Sequence, residues 1–293
     1  MKNLLLVGAT GFLGQHLKNF YQNKGWQVYT LGRSESSDYL LNSNRLESLL
    51  SLDIDVSFDR LINAAAINEV DINKDISVTY DINVTLTRYL VELAHKYKIP
   101  EFTYISTFHV YGNTNDFIDV DLICEPKNDY GLTHYLSEQI VRTLGKAYGI
   151  NTLVVRPTNI YGCPVNMAAF NRWSLVPFAF IKDAIEEKTI NIRSSGLQLR
   201  NFVSVHDVLK ATLLIDKLDI VNAYGFDMLT IRAFAQKIAL IVELESKSNV
   251  KVSWLGSETT STETDLRFAE NINYHPVGNI ENYISDFIEL LNE

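Results

Sequence analysis

The feature that most constrains the fold is a glycine-rich turn, GATGFLG at residues 8–14, placed between an apolar run at 4–7 and an amphipathic helical pattern. This order predicts a strand, a tight turn and a helix. Gly8 permits the turn, Gly11 lets the backbone approach a pyrophosphate, and Gly14 lets helix and strand pack closely. The helix N-terminus then offers N–H groups to phosphate oxygens. The motif predicts nucleotide binding near the start of the chain.

Strand-like apolar runs alternate with helical patterns over residues 1–162. Such alternation is typical of right-handed βαβ crossovers and a parallel sheet. The regularity weakens afterwards. We therefore predict an α/β fold with a Rossmann-type doubly wound parallel sheet over 1–162, to which 201–228 returns. A smaller, interleaved C-terminal substrate-binding lobe is expected over 163–200 and 229–293.

Composition excludes several classes of function. The 293 residues carry a formal net charge of -9, which argues against a nucleic-acid partner because such surfaces need clustered Lys and Arg. No apolar run approaches the roughly 20 residues of a membrane helix. The two cysteines, Cys124 and Cys163, form neither a disulfide framework nor a metal-binding spacing. We expect a cytoplasmic protein without a metal and without a membrane partner.

The end of the second predicted strand bears on the choice of cofactor. This strand covers 27–31 and is followed by Gly32, Arg33 and Ser34. An acidic residue here would bind ribose hydroxyls and repel a 2′-phosphate, and none is present. Arg33 offers donors suited to phosphate. The pattern favours NADP over NAD, with a merely solvated Arg33 as the alternative interpretation.

Two further features permit a role in cofactor binding without requiring it. The strand predicted over 59–66 ends in small residues, among them Ala64 and Ala65. These allow a cofactor to approach closely, although a packed turn would use them too. Asn83 lies within a long helical pattern at 76–98, where asparagine is a mediocre helix former, so a specific hydrogen bond is expected of it.

Over about residues 1–210 the chain resembles the extended short-chain dehydrogenase/reductase family, the NAD-dependent epimerase/dehydratase group that acts on nucleotide sugars. The motifs occur in the family's order and near its spacings. They are specific for fold and cofactor and much less specific for the reaction. The matching segments are GATGFLG (8–14), NAAA (63–66), Asn83, YISTFHVYG (104–112), YGLTH (130–134), RPTNIYG (156–162) and GLQLRNFVSVHDV (196–208).

The resemblance implies roles for individual residues. Tyr130 stands where the family has its catalytic tyrosine, and Thr107 where it has the hydroxyl that orients the sugar oxygen. A phenol and a neighbouring hydroxyl suit proton exchange at a carbon that gains or loses hydride. The implied cofactor-binding residues are Gly8, Thr10, Gly11, Phe12, Leu13, Gly14, Arg33, Ala64, Ala65, Asn83, Tyr130, His134 and Pro157. The implied substrate-binding residues are Thr107, His109, Asn159, Ser174 and Arg200, of which Asn159 and Arg200 correspond to the family's ligands of the nucleotide diphosphate.

The chain departs from the family at the position four residues after Tyr130, where His134 replaces the usual lysine. Residues at i and i+4 share one helix face, so the imidazole points where the ammonium would. It can donate one hydrogen bond to the nicotinamide ribose but is mostly neutral at pH 7. Three interpretations stay open: a working substitute with a more alkaline optimum, a slowed enzyme that fills the lysine's role from elsewhere, or a binding protein without turnover.

Neighbouring residues separate members of the group. The family's 4,6-dehydratases have an Asp-Glu pair directly after the threonine, where this chain has Phe108 and His109. This difference argues against a dehydratase. Because Arg33 follows the second strand and no acidic residue does, we predict an NADPH-dependent reductase of a 4-keto nucleotide sugar. A 4-epimerase with retained NAD and a cofactor-sensing protein are the alternatives. The resemblance also implies a homodimer, formed through the helices at 76–98 and 130–148.

Overall fold

The computed structural model describes residues 1–112, 117–255 and 266–292, and of residue 73 the backbone alone. Its α-helices, in chain order, are α1 Phe12–Asn23, α2 Ile76–Tyr80, α3 Leu86–Lys96, α4 Asp129–Tyr148, α5 Val176–Glu186, α6 Val205–Ala211, α7 Ile231–Ser246 and α8 Ile280–Asn292. Its strands are β1 Asn3–Val7, β2 Gln27–Gly32, β3 Tyr39–Leu40, β4 Arg60–Asn63, β5 Glu101–Ile105, β6 Phe117–Ile118, β7 Asn151–Pro157, β8 Asn159–Tyr161, β9 Thr189–Ile192, β10 Leu199–Ser204, β11 Ile220–Ala223, β12 Asp227–Thr230, β13 Lys251–Trp254 and β14 Arg267–Phe268.

The described residues form two compact units. The first contains 1–112, 119–157 and 209–222, and the second contains 117–118, 158–208, 223–255 and 266–292. The segment that returns to the first unit is therefore shorter than the expected 201–228. The reason is that β10 pairs with β8 and β12 in the second unit instead of joining the large sheet.

The first unit is built on a seven-stranded sheet with the order β11-β7-β5-β4-β1-β2-β3. Strand β1 pairs in parallel with β2 and β4, and the parallel ladder continues through β5 to β7. The strand Leu4–Val7 is at most 1% exposed, as expected for a parallel strand covered on both faces. The predicted Rossmann-type α/β fold is confirmed.

Parallel pairing also places the site, because the carboxyl ends of these strands meet at one edge of the sheet, where α/β proteins bind ligands. Gly8 follows β1, Gly32 ends β2, Asn63 ends β4, Ser106 follows β5 and Pro157 ends β7. The glycine turn and the motif around Thr107 are thereby brought to the same edge of the first unit.

The second unit contains smaller sheets. Strand β10 pairs with β8 in parallel and with β12 antiparallel, while β13 pairs with β9 and β14 with β6. Helices α5, α7 and α8 pack together through buried aromatic residues, among them Phe178, Phe234 and Phe287. In the described part of the chain, no helix has the length and apolar character needed to cross a membrane.

Candidate active site

The three glycines of the turn differ in what surrounds them. Gly8 has a φ of 84°, and a Cβ there would meet the backbone nitrogen of Ala65 at 2.7 Å. A Cβ on Gly14 would overlap the carbonyl oxygen of Gly8. A Cβ on Gly11, in contrast, would lie 3.4 Å from that oxygen, and no other described atom outside its two chain neighbours would lie within 4 Å of it. The protein itself therefore tolerates a side chain at Gly11, and the space there fits a ligand that approaches the backbone.

Gly11 is also the N-cap of α1, which has no capping side chain and no acidic residue in its first turn. A helix N-terminus left without a capping carboxylate or hydroxyl retains its partial positive charge for an anion. The turn, the space at Gly11 and the helix end together fit the pyrophosphate of a dinucleotide. Thr10 lies in this turn, and Phe12 and Leu13 open the helix.

Arg33 follows the end of β2 and is exposed. Among the described residues no carboxylate forms an ion pair with it. The backbone at Gly32 lies close to the loop that follows, because a Cβ there would meet Ser37 Oγ at 2.9 Å. Asp38, the carboxylate nearest the start of β3, accepts hydrogen bonds from the backbone and hydroxyl of Thr30.

The small-residue turn after β4 is held in place by Asn63. Its Oδ1 accepts from the backbone N–H of Ala65 at 3.0 Å, and its Nδ2 donates to Thr87. Ala64 donates its backbone N–H to Val7 at the end of β1. The turn is therefore packed against Gly8 and fixed at the edge of the sheet where a cofactor would bind.

Asn83 forms the specific hydrogen bonds expected of it. It lies in a π-helical turn, Asp81–Thr85, between α2 and α3. Its Oδ1 accepts from the backbone N–H of Ile67 at 2.7 Å, and its Nδ2 donates to Thr133 Oγ1 at 3.0 Å. Asn83 thus connects the loop after β4 to α4, and its side-chain amide holds these two elements of the site together.

Thr107 lies directly after β5 and is 5% exposed. Its Oγ1 accepts the backbone N–H of His109 at 3.2 Å and so caps the short 3₁₀ turn Phe108–Tyr111. A hydroxyl retains one donor after accepting such a bond. The side-chain geometry therefore leaves the O–H of Thr107 able to donate to a sugar oxygen.

Tyr130 and His134 share one face of α4, as their spacing predicts. Their rings meet edge to face with centroids 4.8 Å apart, and the ring of His109 meets Tyr130 at 5.4 Å. Close approach of α4 to the 3₁₀ turn depends on Gly131, because a Cβ there would lie 2.5 Å from the carbonyl oxygen of His109. His109 Nε2 is also 3.9 Å from Glu69 Oε2.

Electrostatically, His134 differs from the lysine it replaces. The side chain is buried, and burial, together with the nearby His109, lowers its pKa to about 3. The imidazole is therefore neutral throughout the physiological range. Its Nδ1 is 2.8 Å from the phenol oxygen of Tyr104, and its buried Nε2 has no hydrogen-bond partner among the described residues.

A buried ion pair fixes the same helix to the sheet. Glu138, two turns after Tyr130, pairs with Arg156 and accepts a hydrogen bond from Ser106 Oγ. Arg156 immediately precedes the buried Pro157 at the end of β7. The sequence reasoning missed Tyr104, Ser106 and Glu138 as site residues. An available signal was the recurrence of polar residues at 130, 134 and 138 on one helix face.

The three remaining predicted residues belong to the second unit. Asn159, in β8, donates its side-chain N–H to the carbonyl oxygen of Asn201 at 2.8 Å. Arg200, in β10, is exposed, and so is Ser174, which precedes α5. Asn159 and Arg200 belong to neighbouring strands, since β8 pairs with β10.

Residues 4–222 match the NAD dependent epimerase/dehydratase family. The chain belongs to this family. Membership confirms the resemblance inferred from the motifs. It supports a nicotinamide cofactor and leaves the choice between NAD and NADP open.

Three curated proteins are similar to the chain, at 26% to 29% identity. A dTDP-D-glucose 4,6-dehydratase of Dictyostelium discoideum is 26% identical over 258 residues, which cover 77% of this chain and 58% of that protein. The Homo sapiens protein of the same name is 27% identical, with 91% and 81% covered. A putative UDP-glucose 4-epimerase of Methanocaldococcus jannaschii is 29% identical, with 72% of each covered. The chain thus spans somewhat more than half the length of the Dictyostelium protein.

Solved structures share the fold over nearly the whole chain. MoeE5 in complex with UDP-glucuronic acid and NAD has a TM-score of 0.80 at 18% identity, with 99% of both chains covered. RMD from Pseudomonas aeruginosa complexed with NADPH has a TM-score of 0.79 at 20% identity, with 99% of this chain and 98% of that chain covered. At these identities the likeness concerns the fold.

Proposed function

We propose that the protein is an NADPH-dependent reductase that converts the keto group of a nucleotide-linked 4-keto sugar to an alcohol. The observation that carries this proposal is the buried, neutral His134 at the position of the family's lysine. The charge at this position affects whether Tyr130 acts more readily as an acid or as a base.

When bound, the nicotinamide supplies hydride to the sugar carbon or withdraws hydride from it. The chain must supply an acid in the first case and a base in the second. A phenol ordinarily titrates near pH 10, so at pH 7 its populated form is the acid. A fixed ammonium beside it would favour the phenolate base, and neutral His134 carries no such charge. The arrangement therefore suits a tyrosine that protonates an oxygen.

In this proposal Tyr130 donates a proton to the developing oxyanion, while the O–H of Thr107 donates a hydrogen bond to the same oxygen. Thr107 is fixed for this role by the bond that it accepts from His109. His109 contacts Tyr130 and is proposed to contact the sugar. His134 is proposed to bind the nicotinamide ribose through Nε2.

The preference for NADPH rests on Arg33. It is exposed at the end of β2, and no described carboxylate pairs with it. A guanidinium recognises a phosphate through two parallel hydrogen bonds. We assign Arg33 to the 2′-phosphate of the cofactor.

The proposed substrate is a nucleoside diphosphate sugar, as in the names of several relatives. The exposed guanidinium of Arg200 is proposed to bind the diphosphate, with Asn159 and Ser174 as further ligands. Asn159 uses its side-chain N–H on Asn201, which leaves its carbonyl oxygen as the group for the substrate.

The other reactions named among the relatives fit less well. A 4,6-dehydratase acid pair is absent, because residues 108 and 109 are Phe and His. A 4-epimerase with retained NAD is the second candidate, favoured by epimerases among the similar proteins. An epimerase must also oxidise the sugar, and this step needs Tyr130 as a base. Neutral His134 carries no positive charge that would favour the phenolate.

We further propose a homodimer formed through α2, α3 and α4. Leu132 and Leu136 on α4, and Ile76 and Val78 on α2, are more than a third exposed in the single chain. Exposed apolar side chains on both helices suit burial against a second copy. Light scattering of the purified protein tests the dimer, and a monomer would contradict it.

The reaction is tested by mixing the purified protein with NADPH or NADH and nucleotide-linked 4-keto sugars. A reductase consumes NADPH in proportion to the keto sugar, and the Tyr130→Phe variant does not. Purification with bound NAD, together with interconversion of 4-epimers without net consumption, would assign the epimerase instead. Binding of cofactor without turnover of any such sugar would leave a cofactor-sensing protein.

A further inference from the structure

We infer that Tyr104 is a positioning residue that fixes the proton of His134 on Nε2, so that this nitrogen is the hydrogen-bond donor of the site. Tyr104 lies on β5, between β7 and β4 in the sheet, and is 1% exposed. Its phenol oxygen is 2.8 Å from His134 Nδ1. The inference extends the proposed function, in which His134 binds the cofactor.

The direction of this hydrogen bond follows from the two groups. Burial raises the pKa of Tyr104 above its ordinary value, so the phenol retains its proton. His134 is neutral and therefore has one donor nitrogen and one acceptor nitrogen. A phenol is a stronger acid than a neutral imidazole, and an imidazole nitrogen is a stronger base than a phenol oxygen. The favoured arrangement is Tyr104 Oη–H donating to Nδ1.

Ser137 Oγ is the competing acceptor for the phenol proton, since it also lies beside Tyr104. Its own proton is directed to the carbonyl oxygen of Asn83 at 2.5 Å. A serine oxygen is a much weaker base than an imidazole nitrogen, so the phenol proton goes to His134. The hydrogen bond made by one ring nitrogen then decides which nitrogen carries the proton.

The result is a single N–H, on Nε2, held at one orientation. Nε2 is buried and has no partner among the described residues, which is a costly state for a polar group unless a ligand completes it. The fixed donor reproduces one half of what a lysine does at this position, the hydrogen bond to a ribose hydroxyl. It does not reproduce the other half, the positive charge beside Tyr130.

The inference is tested without any reaction, by long-range ¹H–¹⁵N spectra of the cofactor-free protein labelled with ¹⁵N-histidine. The chain has 6 histidines, and His134 is assigned by the signals lost in His134→Gln. Protonated and unprotonated ring nitrogens resonate in separate ranges. We expect Nε2 protonated and Nδ1 unprotonated at pH 7, and a mixture of both forms in Tyr104→Phe. Tyr21→Phe removes another buried phenol, which bonds to Thr212 and Arg60, and leaves the pattern unchanged.

Cofactor binding gives the second readout. Tyr104→Phe is expected to weaken NADPH binding by about three- to tenfold, the loss for one misdirected hydrogen bond, and Tyr21→Phe to leave it unchanged. A proton on Nδ1 in the wild-type protein, or the same nitrogen pattern in Tyr104→Phe, would overturn the inference. The spectra are independent of turnover, so an inactive protein with Nε2 protonated contradicts the proposed reductase and not the role of Tyr104.

Discussion

Arg156 and Glu138 form a bidentate ion pair that is almost entirely buried. The side chains are 2% and 0% exposed, with Nε to Oε1 at 3.0 Å and Nη2 to Oε2 at 2.6 Å. The same carboxylate accepts from Ser106, directly before Thr107. One buried carboxylate therefore joins α4 to the ends of two strands that carry site residues.

Glu138→Gln should destabilise the protein by about 3 kcal/mol, because it leaves the guanidinium of Arg156 buried without its counter-charge. Urea unfolding measures the loss. Arg156→Met should cost a similar amount. The double variant should cost clearly less than the sum, since it removes both buried charges. Glu92→Gln, which breaks a partly exposed pair with Arg88, is the control and should cost less than about 0.5 kcal/mol.

Tyr130→Phe should lower kcat by about two to four orders of magnitude, because it removes the proposed proton donor. NADPH affinity, measured by fluorescence titration, should change by no more than a few-fold. Tyr135→Phe removes a phenol from the same helix on another face, and its kcat should match the wild type. Turnover by Tyr130→Phe at the wild-type rate would remove Tyr130 from the mechanism.

Arg33→Ala should weaken NADPH by roughly 10- to 100-fold, the range for a charge-assisted bond to phosphate, and NADH by much less. The comparison of the two dissociation constants is the measurement. Arg45→Ala, another exposed arginine later in the chain, should affect neither. Equal losses for both cofactors in Arg33→Ala would contradict the assignment of NADP.

Gly11→Ala and Gly14→Ala should separate cofactor binding from folding. A methyl at Gly14 overlaps the carbonyl oxygen of Gly8, so Gly14→Ala should cost about 1–3 kcal/mol by urea unfolding. A methyl at Gly11 would lie 3.4 Å from the carbonyl oxygen of Gly8, which is an ordinary contact distance. Gly11→Ala should therefore cost about 1 kcal/mol or less, mainly through the poorer N-cap. The same variant should lose cofactor affinity by about tenfold or more. Normal affinity in Gly11→Ala would place the pyrophosphate elsewhere.

Local elements of the site could be predicted from the sequence, whereas contacts between distant residues could not. Strand, turn and helix around Gly8 follow from local spacing, as does the shared helix face of Tyr130 and His134, because periodicity is encoded in neighbouring residues. The hydrogen bond from Tyr104 to His134 joins residues 30 apart, and local pattern gives no signal for it. The pairing of β10 within the second unit escaped prediction for the same reason, since partner choice between strands is a long-range property.

The buried His134 should make stability fall on acidification. Its pKa is lowered to about 3 in the folded protein, against about 6.5 in an unfolded chain. Between these values the unfolded chain binds one more proton at this residue, so the contribution to the free energy of unfolding decreases as pH falls below about 6.5. The slope from this residue alone approaches 1.4 kcal/mol per pH unit. Urea unfolding at several pH values between about 4 and 7 measures it. His134→Gln should flatten the slope, whereas the same change at the exposed His275 should not, and an equal slope in His134→Gln would show that the imidazole is not held neutral by burial.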